Sequence, residues 1–174
     1  INIFYMNRKN ISKSKPFPLI EVENRYIIFN AIKNMPGIRY MELKRLTGLS
    51  YGTLTYHLTM LEREGRIKVM RTTRKSRYYP IMMSDVDMKI IDCIKNEICR
   101  SILLLMLREG EVTLHMLVEN MKRAKTTLKY HIDLLKNKKI IEGERNGRFI
   151  FYRIRDSMMM DRITVLIMDQ GINI

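Results

Sequence analysis

Acidic residues are scarce in this chain. There are 18 Asp and Glu against 32 Lys and Arg, so 174 residues carry a formal charge of +14. No pair of carboxylates stands in an apolar setting. A Gly-rich phosphate loop and a supported Ser-His-Asp arrangement are also missing, so we expect no catalytic activity and no cofactor. Long apolar runs are lacking too. The longest, from Ile102 to Leu107, is far too short to span a bilayer. Cysteine is limited to Cys93 and Cys99, which lie in one apolar helical pattern and not at metal-ligand spacing. Their expected state is two buried thiols in a reducing cytosol, with no metal. No secretory leader is legible. The first residue is Ile1 rather than methionine, which implies a trimmed N-terminus.

What remains is abundant apolar and basic side chain. Hydrophobic residues make up 46%, enough to build a core. The positive field attracts polyanions, either nucleic acid or an acidic membrane surface.

An internal repeat narrows that choice. Thr53-Leu54-Thr55-Tyr56-His57 recurs as Thr127-Leu128-Lys129-Tyr130-His131 at an offset of 74 residues. At the same offset Ile28 meets Ile102, Leu43 meets Leu117, Leu61 meets Leu135 and Ile67 meets Ile141. Arg71 meets Arg145, Arg74 meets Arg148 and Tyr78 meets Tyr152. A duplicated domain follows from the preserved register.

Each copy reads as three helices and a hairpin. In the first, apolar periodicity predicts a helix over 24–34, stopped by Pro36-Gly37, and a short one over 41–47, ended by Gly48. Ser50 is the expected N-cap for a third helix running to about Glu64, with Gly65 after it. Residues 67–71 and 77–81 alternate as strands. The second copy predicts helices over 98–108, 114–121 and 124–137, then strands over 140–145 and 149–154 around Asn146-Gly147. Residues 86–96 either extend a helix or connect the copies, and 158–168 form a last apolar helix. The fold class expected is mainly α with small β-hairpin wings (α+β): two tandem winged-helix domains plus a C-terminal helix. The domains are 20–84 and 85–156, with an extension over 1–19 and a terminal helix over 157–174.

On a helical wheel, Leu54, Leu58 and Leu61 face inward and His57 flanks them. Outward stand Gly52, Thr55, Tyr56, Thr59 and Arg63. Their counterparts are Thr126, Lys129, Tyr130, Asp133 and Asn137. Such a polar face fits the major groove, where the N-terminal part of a recognition helix reads base edges. The predicted DNA-reading set is Ser50, Tyr51, Gly52, Thr53, Thr55, Tyr56, Thr59 and Arg63, with Lys125, Thr126, Thr127, Lys129 and Tyr130 in the second copy. Arg66, Lys68, Arg71, Arg74, Lys75 and Arg77 crowd the first hairpin without an acid, which suits phosphate contact or minor-groove insertion, and Arg71, Arg74, Lys75 and Arg77 are its predicted DNA contacts. In the second copy those are Lys122, Arg123, Arg145 and Arg148. The first copy is expected to carry more of the binding. His57 and His131 recur on the inner flank, which favours packing over metal binding, and His115 is isolated.

The run from Leu49 to Ile67 resembles the recognition helix of MarR-type and ArsR-type winged-helix regulators. From about Phe17 the chain resembles archaeal transcriptional regulators with two helix-turn-helix domains, a group near which a euryarchaeal archaellum regulator falls. The resemblance implies a cytoplasmic transcription factor on promoter DNA. The second copy departs from the pattern: Lys139 replaces the glycine after the third helix, and Lys122-Arg123-Ala124 replaces a Gly-Leu-Ser turn. That leaves a dimerisation or partner role open for it. The apolar helices between Val86 and Arg108 and between Met158 and Met168 pack on each other or on a second chain, which is the expected route to a homodimer. The competing function is a protein-interaction module of the transcription machinery that contacts polymerase or basal factors.

Overall fold

The computed structural model describes residues 17–72 and 75–171. By internal contacts the described residues divide into two units, one holding 17–34, 38–72 and 75–80, the other 35–37 and 81–171. Both contain the order helix, strand, helix, helix, strand, strand, which the second flanks with a helix at each end.

In the first unit, α1 (Phe17–Asn34) leads to β1 (Ile38–Arg39), α2 (Tyr40–Thr47) and α3 (Tyr51–Arg63), then β2 (Ile67–Arg71) and β3 (Ser76–Pro80). Helix α1 begins within the expected extension, seven residues before the predicted 24. The chain break after it is the left-handed Gly37. Helix α2 ends at Gly48, at φ 63°, whose N–H donates to the Lys44 carbonyl. Ser50 caps α3: its hydroxyl accepts from the Thr53 N–H at 3.2 Å, a contact worth about 1 kcal/mol. The three strands form an antiparallel sheet in the order β1-β3-β2.

The second unit opens with α4 (Asp85–Ile94), a helix separate from α5 (Glu97–Glu109). Asn96 makes the break, its side chain accepting from the Cys99 N–H. Then come β4 (Glu111–Thr113), α6 (Leu114–Met121), α7 (Lys125–Asn137), β5 (Ile141–Asn146), β6 (Phe149–Ile154) and α8 (Ser157–Asp169). The sheet order is β4-β6-β5, and Asp156 caps α8 through the Met159 N–H. The sequence did not announce β1 or β4, which are two and three residues long.

The two cores use the same repeat positions. Ile28 and Ile102, Leu43 and Leu117, Leu54 and Leu128, Leu61 and Leu135, Ile67 and Ile141, and Tyr78 and Tyr152 are all buried. In the second unit, Ile90, Cys93 and Ile94 of α4 and Met159, Ile163 and Ile167 of α8 join that core. Lys138 on Asp92 (2.6 Å) and Arg162 on Asp87 (3.0 Å) tie α4 to the end of α7 and to α8. Much of the apolar surface between Val86 and Arg108 is thus consumed within its own unit. Among the described residues, no helix is long and apolar enough to cross a membrane.

Candidate nucleic-acid interface

Helix α3 turns Leu54, His57, Leu58 and Leu61 into the core. Tyr51, Gly52, Thr55, Tyr56, Thr59 and Arg63 remain exposed. At Gly52 no atom lies within 4 Å of where a Cβ would stand. A ligand backbone has unobstructed access there.

The start of α3 is held by a side-chain cluster that the sequence did not reveal. Tyr40, at the start of α2, stacks on Tyr51 with ring centroids 5.8 Å apart. Its hydroxyl lies 3.0 Å from the Tyr51 carbonyl oxygen and 2.9 Å from the Thr55 hydroxyl. Lys44 sits over the Tyr51 ring at 4.6 Å, and the Tyr51 hydroxyl donates to Met41 Sδ. Two predicted base readers, Tyr51 and Thr55, are therefore oriented from α2. Thr53 is engaged with the Ser50 hydroxyl at 2.9 Å, and Thr59 donates to the Thr55 carbonyl. The repeat carries a signal that could have exposed this cluster. At the offset of 74, Tyr40, Tyr51 and Thr55 meet Leu114, Lys125 and Lys129, so the copies differ together at three mutually touching positions.

The first hairpin is less available than its composition suggests. Arg77 is 3% exposed, which corrects its assignment as a phosphate contact. It stands in the central strand, opposite Arg39 on one side and Met70 on the other. Its neighbour in the buried row is Tyr79. Arg71 is exposed, but Glu62 of α3 binds it through two contacts of 2.8 and 2.6 Å. The acid missing from the hairpin is thus supplied by the helix. That pairing holds the Glu62 carboxyl below the ordinary range and pushes Arg71 up. Arg66 lies over the Phe29 ring at 4.6 Å. Lys75 is exposed beside the Thr72–Lys75 backbone turn, and Arg74 lies outside the described residues.

In the second unit, α7 buries Leu128, His131, Ile132 and Leu135. Lys125, Thr126, Lys129 and Tyr130 are exposed and Thr127 is half-buried. Lys129 pairs with Asp133 one turn on, which pushes its ammonium up and reduces its offer to a phosphate. Lys122 and Arg123 are exposed, Arg123 lying 3.7 Å from Glu97. Arg145 and Arg148 are exposed at the tip of the β5–β6 hairpin. Farther down, Arg153 is held by Glu142 at 2.8 Å and Glu144 at 3.4 Å. The free basic surface is accordingly richer at the second wing tip than at the described part of the first wing.

The two histidines sit at equivalent places. His57 and His131 are buried, each edge-on to the exposed tyrosine before it. His131 Nδ1 lies 3.3 Å from Cys99 Sγ. His57 Nδ1 has no partner, and neither has the buried Arg25 Nε, while Arg25 Nη1 binds Glu64 at 2.7 Å. Burial lowers both histidines, and Arg25 lowers His57 further. Hydrogen bonding to Cys93 and burial push the Cys99 thiol up. Among the described residues, no three of His, Cys, Asp and Glu are placed to share a metal ion.

Comparison with known proteins gives the fold a context. Residues 22–91 match the family model described as HTH_HVO_0163_N, N-terminal HTH domain, so a helix-turn-helix domain is present there. An uncharacterised HTH-type transcriptional regulator of Methanocaldococcus jannaschii is 26% identical over 159 residues, covering 91% of this chain. The transcriptional repressor SdpR of Bacillus subtilis is 28% identical over 58 residues, 33% of the chain. The chain spans 40% of the first relative's length and 64% of the second's. Among solved structures, HlyU from Vibrio cholerae covers 49% of this chain and 96% of its own, at 17% identity and a TM-score of 0.44. NolR from Sinorhizobium fredii covers 51% and 88%, at 17% identity and 0.43.

Proposed function

We propose that the chain is a cytoplasmic transcriptional regulator that binds promoter duplex sequence-specifically through two winged-helix domains, residues 20–84 and 85–156, with 157–174 closing the second. The observation that carries this reading is the exposed start of α3. There Gly52, Thr55 and Tyr56 present an open polar face while Leu54, His57 and Leu58 hold the helix from behind. A helix with that division can enter a major groove without uncovering its core. Its repetition on α7, and the relatives named as transcriptional regulators, favour the same reading.

The roles divide as follows. Thr55, Tyr56, Thr126 and Tyr130 read base edges. Lys75, Arg74, Lys122, Arg123, Lys125, Arg145 and Arg148 meet phosphates. A homodimer uses the outer stripe of α8, where Met158, Val165 and Met168 remain exposed.

Binding selection from a random duplex pool, followed by fluorescence anisotropy in a salt series, tests the reading. Neutralising six to ten phosphates gives a slope of log affinity on log salt of roughly −5 to −9. A slope near zero, or equal affinity for selected and scrambled duplexes, sinks it.

A further inference from the structure

The second wing ends differently from the first, and the difference is apolar. Strand β4 accompanies β6 only as far as the pair Thr113–Phe151. Beyond it, Arg145 pairs with Ile150 and Asn146 with Phe149, so the tip is a two-stranded ribbon closed by Gly147 and Arg148. Gly147 has φ 61° and Arg148 an ordinary φ, the pattern of a type II′ turn, with the reversal one residue later than Asn146-Gly147 implies. Tight closure keeps the ribbon narrow.

On that tip Phe149 is 49% exposed and Ile150 42% exposed. Successive residues of a strand point to opposite faces, so each face of the ribbon end carries one large apolar side chain. Neither is needed by the core, which Tyr152 and Ile154 of the same strand already fill. Arg145 and Arg148 flank the pair, and there is no acid from Arg145 to Ile150. The nearest acids, Glu142 and Glu144, are held by Arg153. At the corresponding positions of the first wing stand Lys75 and Ser76. The apolar tip is thus peculiar to one copy.

We propose that this tip is a wedge for the minor groove of duplex DNA. Phe149 enters between base pairs from one face of the ribbon and Ile150 packs on the groove wall from the other, while Arg145 and Arg148 hold the phosphates on either side. Paired strands are about 5 Å apart, so only the end of the ribbon can enter a groove about 6 Å wide. Apolar side chains inserted there unstack a base step and kink the duplex by roughly 20–90°. The flanking cations decide for DNA over an apolar protein partner, because they place positive charge where the backbone passes. The second domain then bends the duplex in addition to the contacts its helix α7 makes. This inference rests on the DNA-binding reading above.

The test uses the full chain and duplexes recovered by selection from a random pool, with 2-aminopurine placed at successive steps. Binding of the unaltered protein raises the fluorescence severalfold at one step. Phe149→Ser/Ile150→Ser abolishes the rise per bound duplex and weakens affinity severalfold, while the salt slope is kept and circular dichroism shows the fold intact. Arg148→Ala keeps the rise per bound duplex and makes the slope shallower by about 0.9. Binding without a rise at any step, or a rise that survives the double variant, overturns the wedge and leaves DNA binding standing. Recovery of no duplex overturns both. Adsorption to phosphatidylglycerol vesicles that the double variant loses, with duplex binding unaltered, reassigns the tip to a lipid surface and overturns the wedge.

Discussion

The hydroxyl of Tyr40 touches two groups that face the solvent side of α3, the Tyr51 carbonyl and the Thr55 hydroxyl. A threonine hydroxyl rotates freely unless something holds it, and a base contact gains from a donor already pointed. Tyr40→Phe keeps the ring stacked on Tyr51 and deletes only the hydrogen bonds. Its expected effect falls on discrimination: the affinity ratio between a selected and a scrambled duplex should drop by about 1–3 kcal/mol, the value of one good base contact. A purely structural Tyr40 would lower the unfolding midpoint and leave the ratio untouched. The exposed face of α3 was legible, because a pentad repeated in register marked it. Tyr40 was not, since nothing in a helical wheel says which neighbouring helix reaches a hydroxyl. The burial of Arg77 was hidden for a related reason. Alternation in a five-residue strand assigns a face, but it does not say that both faces of β3 are covered.

At the scale of elements, helix ends were easier to read than strands. Ser50 and Gly48 bound the turn between α2 and α3 as their side-chain chemistry dictates. Strands β1 and β4 are too short to show alternation and exist because β3 and β6 offer them an edge. The second copy departs from its glycines, and the structure shows what the departure entails. Lys122 has φ 49° and Lys139 φ 60°, left-handed values that Gly48 and Gly65 adopt in the first copy. A side chain in that region costs about 1–2 kcal/mol, less what glycine loses by its freer unfolded chain. Both lysines are exposed and lie at the two ends of α7, so each is open to a phosphate if the proposed DNA-binding reading holds. Lys139→Gly is therefore expected to stabilise the protein by about 0.5–1 kcal/mol in urea unfolding. It should also make the salt slope of DNA binding shallower by about 0.9. Stabilisation with an unchanged slope would leave the lysine without a part in binding.

Across the whole molecule the charge of +14 is not uniformly available. Arg25, Arg71, Lys129, Lys138, Arg153 and Arg162 are spent on carboxylates. The repeat also gives both units the same titratable weak point, a buried histidine at equivalent positions of α3 and α7. His57 is lowered by burial and by Arg25, with Glu21 opposing; His131 is lowered by burial. A histidine below its ordinary 6.5 in the folded state takes up its proton more readily when unfolded. Its contribution to stability is therefore complete above about pH 6.5 and is lost as the pH falls below that value. The carboxylates lowered by ion pairs, Glu62 and Asp156, start from 4.5 and 3.8, so they act only at more acid pH. Urea unfolding at pH 7.5 and 5.5 thus separates the histidines from these carboxylates. The midpoint should fall on acidification in the unaltered chain. In His57→Gln/His131→Gln it should start lower at pH 7.5 and stay nearly constant to pH 5.5. A midpoint that holds or rises in the unaltered chain as the pH falls would mean that the buried rings accept protons in place, against the desolvation that their surroundings impose.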